Sequence, residues 1–190
     1  MYLFFDTETT GLPKRFKAPI SDSNNWPRLV QLAWQNYSAK GELISSFNYI
    51  IKPVDFVISD EVAKIHRIDQ ARAEREGVSL LPVLQEFKKE LLNTEFAVAH
   101  NFDFDEKIVG AEFFRNSMDN IFEATRKICT MKGSSNICKI PSRNGYKWPN
   151  LTELHTYLFQ EGFSEAHDAE ADVKALANCF FELKKRGLLF

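Results

Sequence analysis

The sequence predicts an α/β domain with a mixed β-sheet flanked by helices. The length of 190 residues fits one compact domain, so we expect residues 1–190 to form a single domain. A hydrophobic content of 44%, with 17 phenylalanines, is enough for a large packed core. Three strand-like segments come first and helical segments then alternate with short strands, which is the order typical of this fold class.

The first part of the chain has strand patterns. Residues 2–6 form a short apolar run that ends at a turn, which predicts a buried strand. Residues 14–27 are rich in turn-forming residues and are predicted to be a loop. The runs at 28–37 and 42–51 are separated by four turn-forming residues, so they predict a β-hairpin.

The rest of the chain has mainly helical patterns. Apolar spacing and capping residues predict helices at 59–65, 69–75, from 79 onward, 104–114, 151–159 and 168–186. Between them, residues 95–100 and 126–130 are predicted to be short strands. Residues 133–149 are rich in Ser, Asn, Gly and Pro and are predicted to be a loop.

The charge and cysteine content exclude several classes of protein. A net charge of −2 argues against binding nucleic acid through bulk positive charge, although it leaves room for a local basic patch. Cys129, Cys138 and Cys179 form neither a disulfide framework nor a CxxC zinc site, so we expect reduced thiols. The N-terminus has no signal-peptide pattern, and no apolar stretch approaches the ~20 residues of a membrane span. We therefore expect a cytoplasmic protein with no membrane partner.

Two carboxylates, Asp6 and Glu8, lie in or just after the first predicted strand. Alternation along a strand puts both on one face, where they repel each other unless a cation lies between them. Hard cations such as Mg²⁺ prefer oxygen ligands of this kind. Acid-x-acid pairs also occur elsewhere in the chain, but this pair follows an apolar strand and precedes a Thr-Thr-Gly turn, where a site would be exposed at a sheet end.

A second polar cluster occupies residues 100–105, where a predicted strand gives way to a helix. Asp105 shares its helical face with Ile108 and Phe113, whereas Asp103 is better placed as an acid that caps the first turn. An acid on an apolar face needs a partner, so Asp105 is the stronger candidate for a metal ligand.

A third cluster stands at the start of the last predicted helix. Asp172 lies at the edge of its apolar stripe, whereas Asp168 and Glu170 face outward or cap the first turn. His167 directly precedes the helix, whose positive N-terminal end disfavours a second positive charge, so we expect a neutral imidazole near pH 7. A neutral histidine beside a metal cluster can take a proton from water.

The three clusters together predict a catalytic centre. Asp6, Glu8, Asp105 and Asp172 are expected to hold two divalent ions about 3.5–4 Å apart, as two-metal phosphoryl-transfer sites require. One ion, helped by His167, would activate a water molecule, and the other would stabilise a leaving 3′ oxygen.

These residues resemble the motifs of the DEDDh family of 3′–5′ exonucleases, which includes the proofreading epsilon subunit of bacterial DNA polymerase III and RNase T-like enzymes. Residues 6–12 match Asp-x-Glu-Thr-Thr-Gly-Leu, residues 100–105 match His-Asn-x-x-Phe-Asp, and residues 167–172 match His-x-x-x-x-Asp. The segment around His66 also looks similar, although Arg67 stands where family members often have glycine. The resemblance covers nearly the whole chain.

The resemblance implies a ribonuclease H-like fold with a mixed five-stranded sheet, whose first strands are antiparallel and whose other strands are parallel. It also implies two Mg²⁺ or Mn²⁺ ions and the release of nucleoside 5′-monophosphates from a free 3′ end. The four carboxylates match metal ligands, and His167 matches the general base. The positions that match substrate contacts are Thr7, Thr9, Thr10, Gly11, Leu12, His66 and Asn101. Thr9 and Thr10 could equally be turn residues, and His66 a structural histidine.

The expected partner is a nucleic acid with a free 3′ end, and DNA is favoured over RNA. Residues 133–149 contain three basic residues and no acid, with Tyr146 and Trp148 as candidate stacking residues, and residues 14–17 form a second basic patch. The alternatives are an exoribonuclease, a proofreading subunit bound to a DNA polymerase, and a non-catalytic nucleic-acid-binding module. The oligomeric state stays open, because RNase T-like members are dimers and others are monomers.

Overall fold

The computed structural model describes residues 1–164 and 166–188. A mixed five-stranded sheet has the order β3-β2-β1-β4-β5. β1 pairs antiparallel with β2, and β2 pairs antiparallel with β3, whereas the β1–β4 and β4–β5 pairs are parallel. The strands are β1 (Tyr2–Thr9), β2 (Leu29–Tyr37), β3 (Leu43–Ile50), β4 (Phe96–Ala99) and β5 (Arg126–Cys129). The expected ribonuclease H-like topology is confirmed.

Among the described residues, seven α-helices flank this sheet. They are α1 (Asp60–His66), α2 (Gln70–Glu76), α3 (Leu80–Leu92), α4 (Phe102–Arg115), α5 (Thr130–Cys138), α6 (Leu151–Phe159) and α7 (Ala169–Lys185). A 3₁₀ turn at Phe122–Ala124 and a small hairpin of β6 (Pro141–Ser142) and β7 (Gly145–Tyr146) complete the described structure. Within that part of the chain, every helix is too short or too polar to cross a membrane.

The side chains of β1 alternate between two apolar layers, as strand geometry requires. Leu3 and Phe5 are fully buried in the layer that α3 and α4 cover. Phe4 is fully buried on the opposite face, against α6 and α7. The first helical turns of α4 and α7 are therefore held against the two faces of the central strand.

β1 is longer than the sequence predicted. The strand was expected to end at Asp6, but its pairing with β2 continues to Thr9, with an irregular register between Glu8 and Thr9. The partner strand supplies the reason, because Thr7 and Glu8 pair with Leu32 and Gln31 in mid-β2. Asp6 and Glu8 are thus fixed on the regular backbone of the sheet rather than on a flexible turn.

The prediction of a loop over residues 133–149 is wrong for the first part of that segment. α5 runs from Thr130 to Cys138, although its sequence contains Gly, Ser and Asn, which are weak helix formers. Thr130 and Ser134 are fully buried there, and the Ser134 hydroxyl donates to the Thr130 carbonyl at 2.7 Å. Packing therefore overrides the local preference, and only the rest of the segment, with the hairpin, is irregular or exposed.

Candidate metal-binding and catalytic site

Four carboxylates from three parts of the chain converge at one end of the sheet. Asp6 and Glu8 lie on β1, Asp105 lies in the first turn of α4, and Asp172 lies in the first turn of α7. Each carboxylate is near enough to at least one of the others to raise a pKa in the cluster. The structure thus brings together the four residues that the sequence predicted as metal ligands.

Burial and mutual repulsion strongly perturb these groups. Burial, followed by repulsion from Asp105 and Asp172, raises the pKa of Asp6 well above its usual value. The same causes raise the pKa of Glu8 to about 8. Burial raises the pKa of Asp105 to about 7 and that of Asp172 to about 6. Such uncompensated negative charge fits divalent cations, because a cation between the oxygens removes the repulsion.

The pKa values predict how the stability of the metal-free protein depends on pH. Because Glu8 and Asp105 have folded-state pKa values above the unfolded ones, the folded state binds more protons, and stability falls as pH rises towards 8. In EDTA, we expect the midpoint temperature of thermal unfolding to decrease as the pH is raised from 6.5 to 8.5. Saturating Mg²⁺ should make this decrease smaller. Differential scanning fluorimetry measures both effects.

Glu8→Gln is the variant that checks the cause. It removes one repelling charge, so the midpoint temperature in EDTA should decrease less steeply with pH. Asp103→Asn, on the exposed side of α4, should leave the dependence of the midpoint temperature on pH unchanged. Burial lowers the pKa of His100 to about 4, so His100 stays neutral above pH 6.5 and does not contribute to the change in this window. An equal slope in the Glu8→Gln protein would contradict the explanation.

The structure places the two aspartates of α4 in different environments. Asp105 is 3% exposed, and its carboxylate accepts a hydrogen bond of 2.7 Å from the hydroxyl of Thr7. Asp103 is exposed and pairs with Lys132 on the surface. Thr7 points to the opposite face of β1 from Asp6 and Glu8, so its buried hydroxyl serves to orient Asp105.

His167 lies beside the carboxylates. Ligand-capable atoms of Glu8, His167 and Asp172 all lie within 4.8 Å of one another. The backbone N–H of His167 donates to the Asp172 carboxylate at 3.1 Å, and its φ of 69° is in the left-handed region that few non-glycine residues adopt. His167 is exposed, so its imidazole reaches both the cluster and solvent.

Gln31 fixes the start of α7 to the sheet, and the sequence analysis did not single it out. Its amide oxygen accepts from the N–H of Ala169 at 3.1 Å, and its amide nitrogen donates to Asp168 at 3.2 Å and to Asn48 at 2.9 Å. Asp168 itself caps α7 by accepting from two backbone N–H groups. The sequence signal that could have pointed to Gln31 is a glutamine within a mostly apolar predicted strand.

Replacing Gln31 should therefore weaken the site without unfolding the protein. In Gln31→Met, which keeps the length of the side chain, we expect divalent-metal binding to weaken by about tenfold, because residues that orient ligands have effects of this size. Titration with Mn²⁺ followed by calorimetry measures this effect.

Gln35→Met is the matched control. Gln35 lies on the same face of β2, is also buried, and donates to Ser46 on β3. Its loss should lower stability to a similar degree and leave metal affinity unchanged. If both variants lost metal affinity equally, Gln31 would have only a structural role.

Hydrogen bonds between threonine side chains and the backbone stabilise the turn after β1. The Thr9 hydroxyl donates to the carbonyl of Gly11 at 2.7 Å, and the Thr10 hydroxyl accepts from the N–H of Arg28 at 2.9 Å. Gly11 has a φ of 143°, which favours glycine. Leu12 is 75% exposed on the turn that follows β1, so it offers a bare apolar surface close in sequence to Glu8.

The other expected substrate contacts are His66 and Asn101. His66 is buried at the end of α1, and its Nδ1 accepts from the N–H of Ile68 at 3.2 Å. Its Nε2 is buried without a hydrogen-bond partner among residues 1–164 and 166–188. Burial lowers the pKa of His66, so the imidazole is neutral. Asn101 directly precedes α4 and is partly exposed.

Known proteins share this sequence pattern and fold. A family model named RNase_T and described as an exonuclease matches residues 3–180. A comparison with curated protein sequences found no match. Solved structures of exonuclease I match, among them the Escherichia coli enzyme in complex with a dT13 oligonucleotide, with a TM-score of 0.76 and 19% identity.

That match covers 97% of this chain and 41% of the other. The zinc-bound form of the E. coli exonuclease I complex with single-stranded DNA gives a TM-score of 0.76, with 19% identity, and covers 97% of this chain and 40% of that one. A further exonuclease I structure gives a TM-score of 0.78 with 19% identity, and this match covers 98% of this chain and 42% of the other. The chain thus spans about two fifths of the length of these proteins, and at this identity they show the fold.

The family follows from the extent of the match and from the motifs together. The RNase_T model covers most of the chain, and the three motif segments supply the four converging carboxylates and the adjacent histidine. This chain therefore belongs to the DEDDh family of 3′–5′ exonucleases.

Proposed function

We propose that residues 1–190 form a single exonuclease domain that removes nucleoside 5′-monophosphates from the 3′ end of single-stranded DNA. The observation that carries this proposal is the convergence of Asp6, Glu8, Asp105 and Asp172, with His167 within 4.8 Å of two of them. The reaction is hydrolysis. The oxygen of water bonds to the terminal phosphorus, the bond from phosphorus to the 3′ oxygen breaks, and that oxygen leaves with a proton.

Asp6, Glu8, Asp105 and Asp172 are the residues that would hold two Mg²⁺ or Mn²⁺ ions. Their oxygen donors suit hard cations, and a cation would offset the burial and mutual repulsion that raise the pKa values of these carboxyls. When bound, the ions supply Lewis-acid stabilisation of charge on the phosphate and on the leaving oxygen. Thr7 keeps the Asp105 carboxylate in one orientation through its hydroxyl.

His167 is the proposed general base. An exposed imidazole can accept a proton from water through a ring nitrogen and release it to solvent. Its backbone N–H bond to Asp172 keeps the residue next to the cluster while the ring stays accessible. The left-handed backbone at this position holds the ring in place at some cost in strain.

Single-stranded DNA is the proposed substrate for two reasons. E. coli exonuclease I, which shares the fold, has been solved with single-stranded DNA oligonucleotides. Leu12, which is exposed on the turn that follows β1 and Glu8, offers an apolar contact to an unpaired terminal base, which a base pair in a duplex would hide. Exoribonuclease activity is the alternative that the experiment below distinguishes.

A substrate panel tests the proposal. Matched 20-nucleotide single-stranded DNA, single-stranded RNA and duplex DNA, labelled at the 5′ end, are incubated with Mg²⁺, Mn²⁺ or EDTA. We expect a ladder that shortens from the 3′ end on single-stranded DNA, mononucleotide products, no reaction in EDTA, and protection by a 3′-phosphate. Cleavage that persists in EDTA, or no cleavage of any substrate with either metal, would overturn the function.

A further inference from the structure

The β6–β7 hairpin exposes aromatic side chains that are not part of the carboxylate cluster. Pro141 pairs with Tyr146, and the pairing continues from the N–H of Lys147 to the Ile140 carbonyl at 3.0 Å. Tyr146 is 48% exposed and Trp148 is 59% exposed. Since they are two residues apart on an extended segment, alternation places both rings on one side.

The charge of this segment complements a nucleic acid. Residues 133–149 contain Lys139, Arg143 and Lys147 and no acidic residue. Lys147 pairs with Glu153 at the start of α6. Lys139 and Arg143 have no salt-bridge partner within the part of the chain that the structure describes, so both cations are available to phosphates.

His100 fastens the hairpin to the sheet edge that carries the site. Its Nε2–H donates to the carbonyl of Pro149 at 2.9 Å, and its Nδ1 accepts from the Thr130 hydroxyl at 3.0 Å. His100 stands between β4 and Asn101, so it directly precedes the helix whose first turn carries Asp105. Trp148 directly precedes Pro149, whose carbonyl accepts this bond, so Trp148 lies next to the edge of the sheet that carries the site.

We propose that residues 139–148 form a second contact for the single strand, which holds nucleotides upstream of the 3′ end being cut. Tyr146 and Trp148 stack on bases, and Lys139 and Arg143 contact phosphates. Stacking does not depend on base identity, so this surface suits an enzyme that moves along any sequence. The proposal rests on the proposed exonuclease function, but it can be tested by binding alone.

Substrate length provides the kinetic test. In the double variant Tyr146→Ala/Trp148→Ala, we expect KM for single-stranded dT20 to rise at least about tenfold, because stacking on two bases is lost. The rate on a dinucleotide, which lacks the further upstream nucleotides that the proposed contact would hold, should stay unchanged. Phe114→Ala is the control, since Phe114 is a similarly exposed aromatic at the far end of α4. Equal losses on both substrates, or no loss on dT20, would overturn the proposal.

Tryptophan fluorescence tests binding independently of activity. Of the three tryptophans, all of which the structure describes, Trp26 and Trp34 are buried and Trp148 is exposed. Titration with dT20 in EDTA should quench the fluorescence of the native protein, and Trp148→Phe should abolish the change. Quenching without nuclease activity would refute the proposed function alone, whereas no quenching at saturating dT20 would refute the role of the hairpin.

The salt dependence separates phosphate contacts from stacking. Lys139→Gln/Arg143→Gln should reduce the slope of log affinity for dT20 against log salt concentration by about 0.7 for each lost contact. The aromatic variant should weaken binding with little change in slope. An unchanged slope in the Lys139→Gln/Arg143→Gln protein would remove the two cations from the proposed surface.

Discussion

Asp105→Asn is expected to reduce mononucleotide release from single-stranded DNA by about a thousandfold or more. The carboxylate is buried among three others, and asparagine keeps its shape and can still accept from the Thr7 hydroxyl. The change therefore removes a charge that would hold a divalent cation and leaves the packing in place. A gel assay with Mg²⁺ gives the rate, and Mn²⁺ calorimetry gives the loss in metal affinity.

Asp103→Asn is the matched control on the same helical turn. Asp103 is exposed and pairs with Lys132, and such surface pairs contribute roughly 0–1 kcal/mol. Its activity should stay within about twofold of the native protein. In EDTA at pH 8, Asp105→Asn should also unfold at a higher temperature than the native protein, because one repelling charge is gone. Near-native activity in Asp105→Asn would contradict its assignment as a metal ligand.

The convergence of the four carboxylates could be predicted because the signals are local. The inward position of Asp105 follows from its spacing to Ile108 and Phe113 on one helix, and the structure buries all three. Asp6 and Glu8 share a strand face by simple alternation. These patterns need only a few neighbouring residues, so they can be recognised in a single sequence.

The supporting contacts could not be predicted, because they join distant parts of the chain. Gln31 reaches Ala169 across 138 positions, and the Thr7 hydroxyl reaches Asp105 across 98. α5 forms against its own weak helix preference because tertiary packing buries Thr130 and Ser134. Periodicity describes which face of an element is buried, but it does not identify the partner that covers that face.

Glu112 makes another set of contacts between distant parts of the chain, and its replacement is expected to change the free energy of unfolding more than any other substitution considered. Its carboxylate is 0% exposed and accepts from Arg28 at 2.9 Å, from the N–H of Leu29 at 3.2 Å and from Arg115 at 2.9 Å. Arg115 also donates to the carbonyls of Ser23 and Trp26. One buried acid on α4 thus holds the end of the 14–27 loop and the start of β2.

Glu112→Ala should lower the free energy of unfolding by about 3 kcal/mol or more, because it leaves two guanidinium groups near the core without their counter-charge. Urea denaturation followed by circular dichroism measures the loss. Glu106→Ala is the control, since Glu106 lies on the same helix and forms a surface pair with Lys127, whose loss should cost at most about 1 kcal/mol.

The loop gives a second, local measurement of the same effect. The residues that Arg115 holds lie at the end of the segment that begins beside Leu12 and contains Lys14, Arg15 and Lys17. Brief digestion with trypsin under native conditions should therefore cut this segment faster in Glu112→Ala than in Glu106→Ala, because local opening exposes the backbone. Equal digestion rates, with less than about 1 kcal/mol lost, would mean that the arginines find other partners and that Glu112 does not hold the loop.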